Sequence, residues 1–214
     1  SPNFVVEFGC NDGILLKPLN KMGIKTCGVD VSKNITQIAR DNGLDVISGY
    51  LDEMVAENIL KKHGRVDVVT GSNAFAHNDK PEIILEAAKL ILKPEGYLCL
   101  EVMYAGDLLE LLQWDTLYHE HLTFYCLSTL SSLLNLHGFH VIDVDRIPMH
   151  GGSLRVVATQ DPLKKAKASV SELVIYEGKK ALDNPDTWEK FGKYIGRKIE
   201  VVRETMFDLS KNNR

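Results

Sequence analysis

The chain has 214 residues, of which 44% are hydrophobic and 25% charged, proportions typical of folded globular proteins. This length predicts one large domain, or one domain with appended helices. The 25 Lys and Arg residues against 29 Asp and Glu give a net charge of −4, which argues against a nucleic-acid binder. Because no apolar run approaches the roughly 18 residues of a membrane span, and no signal peptide precedes the first strand pattern, we expect a cytoplasmic protein without membrane contacts.

Short apolar runs alternate with helical patterns through the first half of the chain. The predicted strands cover residues 4–8, 26–31, 45–48, 66–71 and 97–103, and the predicted helices cover 14–22, 32–41, 51–62 and 81–92, with a turn at 93–96. Such alternation predicts a parallel sheet with helices on both faces. The nearly continuous apolar strands agree, because parallel sheets are buried on both sides.

The pattern changes after the fifth strand. Helices are predicted at 106–113 and 127–137, strands at 139–146 and 153–159, and helices at 163–182 and 185–210. The loop between the last two strands is short enough for an antiparallel pair. The last helix has a one-sided apolar stripe, made of Trp188, Phe191, Ile195, Ile199, Val202, Met206 and Leu209. We predict an α/β domain over residues 1–160, with five parallel strands and a closing antiparallel hairpin, and a helical extension over residues 161–214.

The four cysteines, Cys10, Cys27, Cys99 and Cys126, are widely spaced and form no CxxC pair. This spacing argues against a zinc knuckle. We expect buried free thiols in a reducing compartment.

A glycine-containing turn, residues 7–13, follows the first strand. A dinucleotide-binding fingerprint would need glycines at positions 9, 11 and 14, but Asn11 and Ile14 occupy two of them. The pattern acid-x-Gly-x-x-x-Gly resembles instead the first motif of class I S-adenosylmethionine-dependent methyltransferases. Gly9 and Gly13 allow close backbone approach, and the next helix N-terminus offers N–H groups to a carboxylate. An ordinary strand-to-helix turn is the alternative.

Other cofactor candidates follow the second, third and fourth strands. Asp30 ends the second strand, where an acid can accept both ribose hydroxyls. Tyr50 follows the third strand and can cover the adenine, or it is an edge residue of the core. Because ligands of open α/β sheets bind at the carboxyl ends of strands, we expect S-adenosylmethionine there. The candidate contacts are Glu7, Gly9, Asn11, Asp12, Gly13, Asp30, Val31, Tyr50, Leu51, Ser72, Asn73 and His77.

Two polar clusters lie further along the chain, Tyr118-His119-Glu120-His121 and His150-Gly151-Gly152-Ser153. On a strand, His119 and His121 would share one face, as metal ligands can. The spacing is not that of the helical HExxH motif, and no cysteine is near in sequence, so we expect no metal site. A structural polar loop is the other alternative.

Together with residues 6–13, these clusters resemble the nucleotide-sugar C-methyltransferases of deoxysugar biosynthesis, over nearly the whole chain. The resemblance implies methylation of the carbon beside the ketone of a nucleotide-linked keto-sugar, with S-adenosylhomocysteine as the other product. It further implies that His121 is the base and that Tyr118 acts at the substrate oxygen. Members of that family usually carry a four-cysteine zinc domain before this segment and a second α/β domain after it. The resemblance thus implies the central piece of a longer enzyme, or a truncated relative.

The chemistry of the residues is consistent with that resemblance. Methylation of carbon requires removal of a proton beside a carbonyl, and histidine is the commonest base near neutral pH. The enolate oxygen needs a hydrogen-bond donor, which Tyr118 or His119 supplies, while Glu120 is a candidate to orient an imidazole. We expect substrate contacts from His119, His150, Gly151 and Ser153.

Two other functions stay open: an O- or N-methyltransferase acting on another small molecule, and a non-catalytic cofactor-binding module. The expected partners are a small nucleotide-sugar substrate and a second copy of the chain, bound through the C-terminal helices.

Overall fold

The computed structural model describes residues 1–212, which form one seven-stranded mixed sheet with order β3-β2-β1-β4-β5-β7-β6. Strands β1 to β5 are parallel, and β7 runs antiparallel to both β5 and β6. The strands are β1 Phe4–Phe8, β2 Lys25–Asp30, β3 Val46–Ser48, β4 Val66–Ser72, β5 Leu92–Met103, β6 His140–Ile147 and β7 Ser153–Thr159. The prediction of five parallel strands and a closing hairpin is confirmed.

The helices of the described residues match the predicted helices in number and order. They are α1 Leu16–Lys21, α2 Lys33–Asp41, α3 Glu53–His63, α4 Pro81–Ile91, α5 Ala105–Glu110, α6 Leu127–Leu136, α7 Ala168–Lys180 and α8 Pro185–Asn212. Single 3-10 turns lie at Phe75–His77, Trp114–Thr116 and Met149–Gly151. None of these helices combines the length and apolar character that a membrane crossing requires.

Three predicted boundaries were wrong for identifiable reasons. Helix α5 ends before residue 113 because Leu112 adopts a left-handed backbone with φ of 55°. Helix α7 ends before Leu182 because Ala181 is left-handed as well. The predicted turn at 93–96 lies inside β5 as an irregularity, because Leu92 pairs with Val66 whereas Tyr97 already pairs with Val68.

The main core lies between one face of the sheet and helices α3, α4 and α6, whose apolar sides are buried. A smaller cluster lies on the opposite face, where α1 and α2 cover β2 and β3. All five residues of β1 are buried, as expected for the central strand of a parallel sheet. Both layers leave the carboxyl ends of β1 to β5 at one edge, and the loops that follow these strands meet there.

Helix α7 is attached to this domain by a buried carboxylate. Glu177 is 3% exposed, and its two oxygens accept hydrogen bonds from the backbone N–H groups of Leu127 (2.5 Å) and Ser128 (2.9 Å) at the start of α6. A carboxylate at a helix N-terminus satisfies unpaired donors and complements the helix dipole. Helix α7 thereby caps α6.

Helix α8 is held at its first half only. Trp188 packs against the core and donates its indole N–H to the Leu182 carbonyl at 2.8 Å, and Ile195 is buried. Further along the same stripe, Val202, Met206 and Leu209 are 55%, 66% and 57% exposed. The far half of α8 therefore projects beyond the sheet domain.

Candidate functional site

A cleft of about 240 Å³ opens where β1, β2 and β3 end. Six of the predicted cofactor contacts line it: Gly9, Asp30, Val31, Tyr50, Leu51 and His77. Further lining residues were not predicted, among them Gly49, Ala74 and Asn78. Gly49 follows β3 with φ of 156°, and a glycine directly after a short strand could have indicated a lining position. A larger, shallower depression beside Arg65 and Pro94 lies at the opposite sheet edge, away from the glycine turn.

The glycine turn gets its shape from left-handed backbone conformations. Gly9, Asn11 and Gly13 have φ of 65°, 53° and 85°, a region that glycine enters without steric cost and asparagine at a small one. A Cβ at Gly9 would lie 2.4 Å from the Cβ of Ala74. Gly9 must therefore lack a side chain for the turn to pass this close to the loop after β4.

Asn11, Asp12 and Gly13 shape the turn and do not line the cleft, and direct cofactor contacts from them stay a prediction. The Asn11 side-chain oxygen accepts a hydrogen bond from the Asp12 N–H at 2.8 Å. The Asp12 carboxylate pairs with Lys17 at 3.2 Å. A Cβ at Gly13 would lie 2.0 Å from the Leu44 side chain, so this glycine serves packing.

Two backbone amides hold the carboxylate of Asp30 in place. Its Oδ2 accepts a hydrogen bond from the Asn11 N–H and its Oδ1 from the Ser32 N–H, both at 2.9 Å. Because each carboxylate oxygen has two lone pairs, each retains one for a ligand. Two further donors on neighbouring atoms, such as the hydroxyls of a ribose, fit this arrangement.

Glu7 is buried behind the turn and does not line the cleft. Its side chain is 3% exposed, and its Oε2 has no hydrogen-bond partner among the described residues. Burial, with a smaller contribution from the charge of Asp30, raises the pKa of the Glu7 carboxyl to about 8. An unpaired buried acceptor is costly, so this carboxyl is suited to a cationic or donor ligand.

The end of β4 places a second polar cluster at the same edge. Asn73 is left-handed, with φ of 52°, and donates through its Nδ2 to Glu101 Oε1 at 3.0 Å. Arg155 on β7 donates to Glu101 Oε2 at 2.9 Å. Neither Asn73 nor the exposed Ser72 lines the cleft, and their contacts with the cofactor stay a prediction. Sequence reasoning also missed Glu101, although a charged residue in the apolar run 98–103 was a signal.

His121 and His77 bring residues 114–125 to the cleft. His121 Nδ1 lies 2.8 Å from the Thr116 carbonyl oxygen, and His77 Nδ1 lies 2.7 Å from that of Glu120. The two rings are 5.2 Å apart between centroids, and Tyr118 lies 4.1 Å from His121. Because a carbonyl only accepts, each Nδ1 carries the proton. His121 Nε2 therefore holds a free lone pair.

Glu120 does not orient the His121 ring in this structure, contrary to expectation. The Thr116 carbonyl holds that imidazole, whereas the Glu120 carboxylate lies 3.9 Å from His119 Nε2. Both of these side chains are largely exposed, at 62% for Glu120 and 89% for His119. Neither makes a close contact that would fix it before a substrate is bound.

The loop before β7 is fixed by its backbone. His150 is exposed and left-handed, with φ of 50°, and the Gly151 carbonyl accepts a hydrogen bond from Gln113 Nε2 at 2.6 Å. Ser153 is fully buried and donates to the Met149 carbonyl at 3.0 Å. Ser153 thus stabilises the loop through its hydroxyl proton, and its contact with a substrate stays a prediction.

An ion pair between a buried carboxylate and a partly exposed guanidinium supports the same loop. Asp107 on α5 is 5% exposed and pairs with Arg146 on β6. A Cβ at Gly152 would overlap the Asp107 carboxylate, so the loop needs glycine at this position. Arg146 also donates to Glu110 at 2.8 Å.

Two family models match the chain. The model described as a methyltransferase domain matches residues 1–144, and the model described as a C-methyltransferase C-terminal domain matches residues 148–214. The junction falls at the end of β6. The predicted boundary at residue 160 stays a prediction.

Curated relatives match to different extents. The C-methyltransferase NovU of Streptomyces niveus is 32% identical over 203 residues, which cover 94% of this chain and 48% of NovU. A ubiquinone biosynthesis O-methyltransferase of Colwellia psychrerythraea is 27% identical over 157 residues, covering 67% of this chain and 63% of that protein. The chain thus spans about half the length of the first relative and under two thirds of the second.

Among solved structures, a Burkholderia thailandensis 1,6-didemethyltoxoflavin-N1-methyltransferase with bound S-adenosylhomocysteine aligns with a TM-score of 0.56 at 19% identity. The alignment covers 78% of this chain and 72% of that structure, and it shows a shared fold. The match over residues 1–144 agrees with the sheet order, in which β7 is antiparallel, and with the glycine turn after β1. The chain belongs to the methyltransferase domain family.

Proposed function

We propose that this chain transfers a methyl group from S-adenosylmethionine to the carbon beside the ketone of a nucleotide-linked deoxy-keto-sugar. The similarity to a C-methyltransferase over 94% of the chain supports carbon as the acceptor. The observation that carries the proposal is an imidazole, His121, whose ring lies 5.2 Å from that of the cleft-lining His77. The finer assignment, the nucleotide sugar, rests on the resemblance of the two polar clusters.

The cleft fits the cofactor by its chemistry. The Asp30 carboxylate has one lone pair on each oxygen available for the ribose hydroxyls. Tyr50, at 64% exposure, and Val31, at 51%, are apolar surfaces that an adenine would cover. Gly9 leaves room for close approach, and the unpaired oxygen of Glu7 suits the ammonium of the methionine part. When bound, S-adenosylmethionine supplies an electrophilic methyl group.

Proton removal falls to His121 in this proposal. Its Nδ1–H is held by the Thr116 carbonyl, which leaves the Nε2 lone pair to accept the proton of the substrate carbon. The electron pair of the broken C–H bond moves to the ketone oxygen as an enolate, whose carbon then takes the methyl group. The Tyr118 ring lies 4.1 Å from that of His121, so its hydroxyl is the donor we assign to the enolate oxygen.

The test separates base catalysis from structural roles. We expect His121→Ala to leave the affinity for S-adenosylmethionine nearly unchanged and to slow turnover on a nucleotide-linked 4-keto-sugar by about 10²–10⁴-fold. It should slow exchange of the sugar α-proton with heavy water equally, measured by NMR without cofactor. The matched control is His137→Ala, whose imidazole bonds Glu86 at 2.7 Å on the far side of the domain.

Exchange at the wild-type rate in His121→Ala would overturn the assignment of the base and leave His119 and His150 as candidates. Lost stability in His121→Ala, measured by thermal unfolding, would point to a structural histidine. Methyl transfer to a hydroxyl or amine of the substrate without α-proton exchange would favour the O- or N-methyltransferase alternative.

A further inference from the structure

One cluster of metal-ligating side chains lies outside the proposed active site. Cys27 in β2, Asp45 immediately before β3 and His63 at the end of α3 each offer a ligand atom, and these atoms all lie within 4.8 Å of one another. The cluster sits toward the amino-terminal ends of the strands, whereas the cofactor cleft lies at their carboxyl ends. The proposed methyl transfer uses none of these residues.

His63 and Asp45 are in contact, but they are poorly aligned for a hydrogen bond. His63 Nε2 lies 3.0 Å from Asp45 Oδ2, and this solvent-inaccessible nitrogen has no well-aligned hydrogen-bond partner among the described residues. The His63 side chain is only 9% exposed. A buried imidazole nitrogen with a poorly aligned partner would gain from a bond to a metal ion.

An aromatic contact orients the His63 imidazole. Its ring packs edge-on against Phe4, with centroids 5.4 Å apart.

We propose that Cys27, Asp45 and His63 form a zinc site, with water as the fourth ligand. Zinc bonds of about 2.0–2.3 Å at tetrahedral angles place ligand atoms roughly 3.3–3.8 Å apart, which small side-chain movements here would give. The donor set of sulfur, nitrogen and oxygen suits Zn²⁺ rather than Ca²⁺ or Mg²⁺, which prefer oxygen. One thiolate and one carboxylate balance its two positive charges, so the buried site is neutral. Binding releases the Cys27 proton to solvent.

Lys62 is the competitor for this position. Its ammonium lies 2.9 and 3.0 Å from the two Asp45 oxygens, and its positive charge balances that carboxylate when no metal ion is bound. Its side chain is 55% exposed, so it can turn into solvent when an ion binds. Removal of this ammonium should therefore strengthen metal binding.

The site would join α3 to β2 and β3 and stabilise the fold without touching the cleft. The experiment titrates the full chain with Co²⁺ as a spectroscopic substitute, then displaces it with Zn²⁺. We expect one equivalent of Co²⁺, a thiolate-to-cobalt charge-transfer band, and a tetrahedral ligand-field spectrum. The band should disappear in Cys27→Ser, which removes a buried thiol, and persist in Cys99→Ser, the control, which removes a partly buried one. Lys62→Gln should bind Co²⁺ more tightly than wild type.

A second readout covers the case in which Cys27→Ser fails to fold. Saturating Zn²⁺ should raise the Tm of the wild type by about 5 °C or more, and this rise should be lost in His63→Gln. A wild-type protein without the charge-transfer band, a band that survives Cys27→Ser, or an equal Tm rise in His63→Gln would each overturn the zinc site.

Discussion

The cofactor cleft and the catalytic segment, residues 114–125, are neighbours but are held by different means. The cleft is fixed by backbone: left-handed Gly9 and Asn11, and two amides on the Asp30 carboxylate. The segment is held by two imidazole-to-carbonyl hydrogen bonds, from His121 and His77, and its His119 and Glu120 side chains are exposed. We infer that the cleft is formed before ligands bind and that the segment is the part that adapts to the substrate.

The largest effect on the cleft is expected from Asp30→Ala. Loss of two charge-assisted hydrogen bonds should cost about 2–4 kcal/mol, or roughly 30–1,000-fold in the Kd for S-adenosylmethionine, measured by calorimetry. Turnover at saturating cofactor should change far less, because Asp30 does not contact the catalytic segment. Asp41→Ala, on the following helix, is the control and should bind normally.

Unchanged affinity in Asp30→Ala would contradict the placement of the ribose. Tighter binding of NAD than of S-adenosylmethionine by the wild type would contradict the cofactor itself, although the failed dinucleotide fingerprint at positions 11 and 14 argues against that result.

The second prediction concerns Glu7, buried behind the turn. Its pKa is raised from 4.5 to about 8 on folding, so the folded state holds a proton that the unfolded state loses above about pH 4.5. This contribution to stability is present below pH 4.5 and is lost as the pH rises to 8, by up to about 1.4 kcal/mol per pH unit. Glu7→Gln stays neutral and should escape the loss. The Tm of Glu7→Gln relative to wild type should therefore increase from pH 5 to pH 8 in thermal unfolding.

If the Tm values of wild type and Glu7→Gln changed with pH in parallel, the pKa of the Glu7 carboxyl would not be raised in the cofactor-free protein. S-adenosylmethionine should reduce the difference at pH 8, because its ammonium would stabilise the ionised carboxylate of the wild type alone. The same titration with and without cofactor therefore also tests the contact proposed for Glu7.

The third prediction concerns the connection between the two regions. His77→Ala removes the hydrogen bond to the Glu120 carbonyl and the ring beside His121. One hydrogen bond contributes about 0.5–1.5 kcal/mol, so kcat should fall by roughly 2–10-fold. Fold stability should be little affected, because the segment is largely exposed. His140→Ala is a matched control, since it removes the same kind of bond, to the Lys164 carbonyl at 3.0 Å, away from the cleft.

A decrease in kcat by more than 10²-fold in His77→Ala would give His77 a direct role in the chemistry. An unchanged kcat would show that the segment reaches its active position without this hydrogen bond, and the inferred adaptability would then extend to His77 as well.

The same contrast explains what the sequence could predict. Strand ends can be located from apolar runs, and Asp30 and Tyr50, which follow such runs, line the cleft. The alternation of elements predicted the sheet. The carbonyl that holds His121 could not be predicted, because the irregular segment has no period and any nearby backbone oxygen accepts equally well. Glu120 was predicted to orient the His121 ring because the two are adjacent in sequence, but its carboxylate is exposed to solvent.

Contacts between elements that are distant in sequence could not be predicted for another reason. The Glu101–Arg155 pair depends on the register of β5 against β7. The cluster of Cys27, Asp45 and His63 depends on how α3 packs on the sheet. Each of these residues taken alone has an ordinary interpretation as a core thiol, a surface acid or a helix-end histidine.

The smallest effect on the stability of the folded chain is expected from a substitution in helix α8. The first half of this helix packs on the domain, whereas its second half is exposed. Val202, Met206 and Leu209 continue the stripe that Trp188 and Ile195 bury, but they are exposed.

Aligned apolar side chains on a projecting helix favour association, so we propose that a second copy of the chain covers them. Val202→Glu places a charge in the centre of this stripe. It should change the free energy of unfolding by less than about 0.5 kcal/mol and convert a concentration-dependent dimer into a monomer in sedimentation equilibrium. Val201→Glu is the matched control, because Val201 is equally exposed, at 58% against 55%, but lies about 100° around the helix. Equal dissociation in both variants would show that added charge alone disrupts the dimer, and a wild-type monomer at all concentrations would contradict the proposal.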